Sequence, residues 1–148
     1  FSDIAGFSSF SEKLTAEKLV HLMNDYLTEM TDILHDNGGT LDKFIGYAIV
    51  GMFGAPLYFE GHAYHACRAA LLIQKRQIEH REKWRQEGTW PDIVYEMKTR
   101  IGLNSGEAII GNMGSRRRFN YTMMGDTVNL EADLLGKYVE QFTRRPAR

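Results

Sequence analysis

Cysteine is nearly absent from this chain. Its single thiol, Cys67, forbids an internal disulfide and fits a reducing compartment. The simplest reading of Cys67 is a small apolar side chain on a helix. Long apolar runs are absent too: none approaches the roughly 20 residues that a membrane-spanning helix needs. Neither charge sign is in excess, and a net charge of -1 supplies no field to draw the chain onto DNA or an acidic membrane. No signal peptide is visible, and the first residue is Phe1 rather than Met. These absences lead us to expect a cytoplasmic domain cut from a longer protein and truncated at both ends. Any membrane anchor would then belong to segments outside these residues.

What is present is the make-up of an ordinary globular protein. The chain is 43% apolar and 25% charged, and its 148 residues suit one well-filled core. Residues 1–148 are therefore read as a single domain.

The first residues, Phe1-Ser2-Asp3-Ile4, read as the last part of a strand. Ala5 to Ser9 then turn the chain, with Gly6 freeing the backbone and Ser8 or Ser9 capping the helix that follows. A strand-turn-helix of this kind directs free backbone N–H groups outward, which suits a phosphate. Asp3, at the strand end, is either a turn-capping carboxylate or a ligand.

From Thr15 to Asn37 the apolar residues Leu19, Leu22, Met23, Tyr26, Leu27, Met30, Ile33 and Leu34 follow helical spacing. Thr15 is the expected N-cap, and Gly38-Gly39 stops the helix. Residues 41–54 read as two apolar strands joined by a tight turn at Ile45-Gly46-Tyr47, at a sheet centre. Asp42 and Lys43 stand just before that turn, where a rigid support can aim side chains at a ligand. After Pro56 a second helix is expected over Gly61 to Gly88, with Ala66, Ala69, Ala70, Ile73 and Ile78 on its buried side. His62 and His65 are three apart on it, but no Cys or carboxylate completes a metal set.

A strand is expected over Val94 to Leu103, a further one over Glu107 to Met113, and a third over Tyr121 to Met124. The arginines Arg116, Arg117 and Arg118 occupy a polar tip between the last two. A final helix is expected from Val128 to Tyr138, and a frayed tail from Phe142 to Arg148. The order predicts an α+β fold: a ferredoxin-like βαββαβ core with two helices on one face, extended by C-terminal strands and a helix.

Four stretches carry a family resemblance. They are Phe1-Ser2-Asp3-Ile4-Ala5-Gly6-Phe7, Leu41-Asp42-Lys43-Phe44-Ile45-Gly46, Arg100-Ile101-Gly102-Leu103-Asn104-Ser105-Gly106 and Tyr121 to Leu130. In order and spacing they resemble the signature blocks of class III nucleotide cyclase catalytic domains, nearest in pattern to bacterial adenylate cyclases. The resemblance implies conversion of ATP to cyclic AMP and pyrophosphate, by attack of the ribose 3′-hydroxyl on the α-phosphate with two Mg²⁺ or Mn²⁺ ions. Asp3 and the backbone carbonyl of Ile4 match the family's first metal ligands, and Gly6, Phe7 and Ser8 its triphosphate turn. Hard cations of this kind take oxygen ligands and keep phosphate oxygens in their shell.

Lys43 and Thr122 match the purine-reading pair, and adenine's acceptor and amino donor suit an ammonium and a hydroxyl. Arg100 matches a phosphate-binding arginine, and Asn129 the asparagine that orients the ribose in the transition state. Family sites form between two domains, so the resemblance also implies a homodimer.

Two positions depart from the pattern. The family's second metal-binding aspartate falls at Tyr47, and its transition-state arginine at Asp133. A phenol titrating near pH 10 is a poor ligand for a hard cation at neutral pH. An anion at position 133 opposes developing phosphate charge. The expectation is a cyclase domain impaired by Tyr47 and Asp133. The alternative is a non-catalytic nucleotide-binding or dimerisation module that regulates a competent partner.

Overall fold

The computed structural model describes residues 1–125 together with Thr127 and Val128. The chain divides into two compact units, one over Phe1–Leu103 and one beginning at Asn104.

The first unit runs β1 (Ser2–Ile4), α1 (Phe7–Ser11), α2 (Ala16–Asp36), β2 (Gly39–Ile45), β3 (Ala48–Phe53), α3 (His62–Glu87), α4 (Asp92–Tyr95) and β4 (Thr99–Ile101). Its four strands lie in the order β2-β3-β1-β4 with every neighbouring pair antiparallel. Apart from the short helices α1 and α4, this is the expected βαββαβ core. Helices α2 and α3 supply most of the apolar cluster, joined by Ile4 from β1 and Ile49 from β3.

Helix α2 starts where Thr15 Oγ1 accepts the Lys18 N–H at 3.3 Å. Its buried residues Leu22, Met23, Tyr26, Met30 and Leu34 recur at the spacing that keeps one face inward. Leu34 lies directly on the root of β2. A Cβ added at Gly39 would meet Leu34 Cδ1 at 2.5 Å and Phe53 Cζ at 2.8 Å, so close helix-on-strand packing requires glycine there.

Several expectations need correction. Ser8 and Ser9 do not cap the helix that follows the first turn, because both lie inside the five-residue α1, whereas Thr15 caps α2 as expected. On α3 the inward residues are Ala69, Ile73, Gln77 and Trp84, while Ile78 is 58% exposed. Ile78 follows Gln77, and one helical step turns a side chain by about 100° out of the core. Cys67 lies on α3 as expected but is exposed.

The strand expected from Val94 begins as the short helix α4, whose Val94 is fully buried, and β4 keeps only Thr99 to Ile101. Pro91 sets that helix start with φ -60, which its ring fixes whatever the β-branched residues prefer. Finally, β2 is an edge strand rather than central, and its Phe44 and Ile45 are 45% and 58% exposed.

A buried polar chain fixes β4 to both long helices. Thr99 Oγ1 donates to Gln77 Oε1 at 2.6 Å, and Tyr26 Oη lies 2.9 Å from the same Thr99 oxygen. Because the Thr99 proton is committed to Gln77, the Tyr26 hydroxyl is the donor to Thr99. Gln74 Nε2 donates to the Thr99 carbonyl at 2.7 Å. Burial, above all, holds the Tyr26 phenol above its ordinary pKa, so it stays a donor.

In the second unit β5 (Ile109–Ser115) and β6 (Arg118–Met124) form a two-stranded antiparallel sheet. Both strands reach further toward the tip than the sequence suggested, leaving Arg116 and Arg117 as the turn. Ser115 Oγ accepts the N–H groups of Arg117 and Arg118 at 3.3 and 3.2 Å, which extends the ladder to the turn itself. The expected helix over 128–138, apart from Val128, and the tail over 142–148 lie outside the described residues.

Candidate active site

Strands β1 and β4 place two charges face to face. Asp3 and Arg100 are direct cross-strand partners, so their side chains share one face of the sheet. The Arg100 guanidinium donates to Asp3 Oδ2 and forms an ion pair with it. The buried Tyr26-Thr99-Gln77 chain anchors the residue next to Arg100, which fixes where the guanidinium emerges. Next to Asp3, the Ile4 side chain is buried, and the following Ala5 N–H donates to the Lys98 carbonyl at 2.9 Å. Gly6, with φ +67, turns the chain into α1, and Phe7 and Ser8 form its first two residues.

The hairpin tip is formed by Gly46 and Tyr47, between the paired residues Ile45 and Ala48. Gly46 takes φ +61, and no residue other than glycine has positive φ among the described residues. Positive φ at the first central position alone is the mark of a type II′ turn, which matches the twist of the flanking strands. The turn throws the Tyr47 ring onto Phe7. The two rings stack with centroids 3.7 Å apart and planes inclined by 19°. Tyr47 is half-buried in this stack and packs against the core cluster.

Three residues before the turn, Lys43 stands beside an irregularity in the β2–β3 ladder. Leu41 pairs with Gly51 and Lys43 with Val50, so Asp42 is the extra residue of a bulge. Lys43 Nζ lies 3.7 Å from Asp42 Oδ1. The Asp42 side chain is 2% exposed and that of Lys43 41% exposed.

Thr122 lies in the second unit, on β6 opposite Gly111, and is buried. Asn129 and Asp133 lie outside the described residues. The sequence names Asp3 and Arg100 separately, one as a metal ligand and the other as a phosphate-binding residue, and the structure pairs them. The stack of Phe7 on Tyr47 was missed as well. Its only sequence signal is an aromatic residue at a turn position where the family pattern has a carboxylate.

The described residues do not assemble a two-ion donor set. Asp3 is taken by Arg100, Tyr47 offers a phenol held against a ring, and no group of three or more His, Cys, Asp or Glu residues is placed to hold a metal among the described residues. The helix histidines are engaged otherwise: His65 Nδ1 lies 3.2 Å from the Asn37 carbonyl, and His62 meets the edge of the Tyr58 ring. Among the described residues no helix is long and apolar enough to cross a membrane.

Comparison with known proteins identifies the family and the fold. The profile of the adenylate and guanylate cyclase catalytic domain matches residues 1–135. Adenylate cyclase 1 of Rhizobium meliloti (strain 1021) is 34% identical over 136 residues, which are 92% of this chain and 20% of that protein. The chain thus spans a fifth of that relative's length. The crystal structure of the adenylyl cyclase CyaB from P. aeruginosa superposes with a TM-score of 0.81 at 37% identity, covering 92% of this chain and 68% of that one. The guanylyl cyclase Cya2 superposes with a TM-score of 0.79 at 34% identity, covering 92% and 66%.

Proposed function

The chain belongs to the adenylate and guanylate cyclase catalytic domain family, the class III nucleotide cyclases, which are lyases, and on that premise we propose that it binds ATP and cyclises it only slowly. Adenylyl and guanylyl cyclases both resemble it, so the choice of nucleotide follows from chemistry. Lys43 offers an ammonium donor and Thr122 a hydroxyl, a pair suited to adenine's ring-nitrogen acceptor and amino donor.

In the reaction the ribose 3′-oxygen bonds to the α-phosphorus in line with the leaving pyrophosphate. The bond from that phosphorus to the β-bridging oxygen breaks, and the hydroxyl proton passes to solvent. Arg100 stands on β4 in an ion pair with Asp3, and its remaining N–H groups are the donors we assign to phosphate oxygens. Gly6, Phe7 and Ser8 offer their backbone N–H groups at the start of α1, and Asn129 orients the ribose. Two protomers are needed, because each site draws on both. We place the domain in the cytoplasm, where ATP is supplied.

The family uses two divalent ions, and the donor set here does not fit two. One carboxylate, Asp3, and the Ile4 carbonyl remain of the matching ligands, so no step is assigned to a second ion. The observation that carries the reading of slow turnover is the Phe7–Tyr47 stack, which fills the turn with a ring where the family pattern has a carboxylate. Asp133 adds an anion where the pattern has a guanidinium.

The same stack favours a second reading, a nucleotide-binding or dimerisation module that regulates a competent cyclase. One experiment separates the two. Cyclic AMP formation from ATP with Mn²⁺ is measured for the chain and for the double variant Tyr47→Asp, Asp133→Arg. A rise of about 100-fold or more in the double variant is expected for an impaired enzyme. No turnover in either, with ATP still bound, favours the module. Failure to bind ATP sinks both.

A further inference from the structure

The bulge in β2 puts a nearly inaccessible carboxylate next to the lysine that faces the purine in the reading above. In a regular strand Asp42 and Lys43 would point to opposite faces. Here Asp42 is the extra residue of the bulge, and its Oδ1 comes to 3.7 Å from Lys43 Nζ. The Asp42 side chain is 2% exposed, whereas the lysine is open to solvent over 41% of its side chain. A carboxylate sealed in the strand acts as a fixed charge, and at 3.7 Å the mobile ammonium is attracted to it as an ion pair. From this geometry we infer that Asp42 is a positioning residue that sets the purine discrimination of Lys43.

The physical reason lies in the flexibility of lysine. Its ammonium sits on a four-carbon stem with three rotatable donors, and an untethered one serves several acceptors. Adenine presents the unprotonated N1 as acceptor. Guanine presents a protonated N1 and, beside it, the O6 acceptor. A free ammonium swings between adenine N1 and guanine O6 and separates the two bases weakly. One held by Asp42 has part of its orientation set before the base arrives, and discrimination rises with that restraint. Asp42 touches neither base nor phosphate in this scheme and acts only through Lys43.

The inference rests on Lys43 facing the purine, and the test is built to tell the two apart. ATP and GTP affinities are measured by titration calorimetry for the intact chain and for Lys43→Ala, Asp42→Asn and the double variant. Asparagine keeps the shape of aspartate and removes its charge. Lys43→Ala is expected to reduce the ratio of ATP to GTP affinity by about ten-fold. Asp42→Asn is expected to reduce it by about three- to five-fold, and to change nothing further once Lys43 is alanine. A circular-dichroism melt accompanies each variant. If Asp42→Asn melts below the assay temperature, Asp42→Glu, which keeps the charge and moves it by one methylene, is read in its place with the same expected fall in ratio.

An unchanged ratio in the Asp42 variant beside a changed one in Lys43→Ala overturns the inference and leaves the purine-facing lysine standing. Equal falls in the presence and absence of Lys43 overturn it as well, because Asp42 would then act by another route. An unchanged ratio in Lys43→Ala overturns both the lysine reading and the inference built on it.

Discussion

Lys43 and Tyr47 stand four residues apart on one hairpin, in contrasting surroundings. Around Lys43 the strand is bent by a bulge, a carboxylate is sealed in beside the ammonium, and a charged donor reaches solvent. Around Tyr47 the turn is regular, an apolar ring covers the phenol, and the nearby Asp3 is paired with Arg100. The first end has the features of a polar recognition site. The second is closed, with its carboxylate neutralised by the protein's own guanidinium. In the function proposed above, one hairpin therefore presents an ammonium to the base at one end and a phenol in place of a carboxylate at the other. The two ends can differ in this way because strand pairing, not ligand chemistry, holds the hairpin together.

The comparison can be broken most forcefully at the Tyr47 end. The Tyr47→Asp, Asp133→Arg variant is expected to gain about 100-fold in turnover, equivalent to about 2.7 kcal/mol. Its ratio of ATP to GTP affinity should match that of the parent chain, since the Lys43 end is untouched. The next largest effect strikes both ends together. Gly39→Ala forces a methyl against Leu34 and Phe53 at the root of β2, and is expected to cost about 2 kcal/mol in urea unfolding.

Phe7→Ala removes the ring under Tyr47 and is expected to cost about 1 kcal/mol by the same measurement, with base discrimination unchanged. A fall in discrimination would show that the two ends are coupled. The smallest effect lies away from the hairpin. Burial would raise the Glu29 carboxyl, but His80 and Arg76, at 3.0 and 2.8 Å, outweigh it and hold its pKa below the ordinary value. A depressed carboxyl contributes stability that is present above its unfolded pKa of about 4.3 and is lost as pH falls through the folded value. Glu29→Gln should flatten that acid limb by about 0.5 kcal/mol, since solvent screens the pair, and should leave both ends of the hairpin alone.

Much of this was legible in the residues. The apolar stripe of α2 and its Thr15 cap follow from spacing and from one hydroxyl, both local properties. The order of strands and helices gave the antiparallel core for the same reason. Edge and centre were not legible, because Phe44 and Ile45 look the same in sequence whether a strand covers them or not. Val94 misled because β-branching favours a strand, while Pro91 upstream and burial under α3 decide for a short helix.

Among the site residues, Asp3, Lys43 and Arg100 could be named from motif and charge. The pairing of Asp3 with Arg100 depends on strand register, and the stack of Tyr47 on Phe7 on a turn geometry. Neither is written in any single stretch of sequence. The bulge at Asp42 is equally hidden, since it exists only as a mismatch between two strands.

The sheet order also fixes when each end of the hairpin comes into being. Lys43 needs only β2 and β3, joined by a two-residue turn, and such local pairing closes quickly. Asp3 and Arg100 are 97 residues apart and meet only when β1 enters between β3 and β4. That closure carries the loop entropy of nearly the whole unit and belongs to the slow part of folding. A nascent or partly unfolded chain would thus carry a formed Lys43 end while Asp3 and Arg100 were still unjoined.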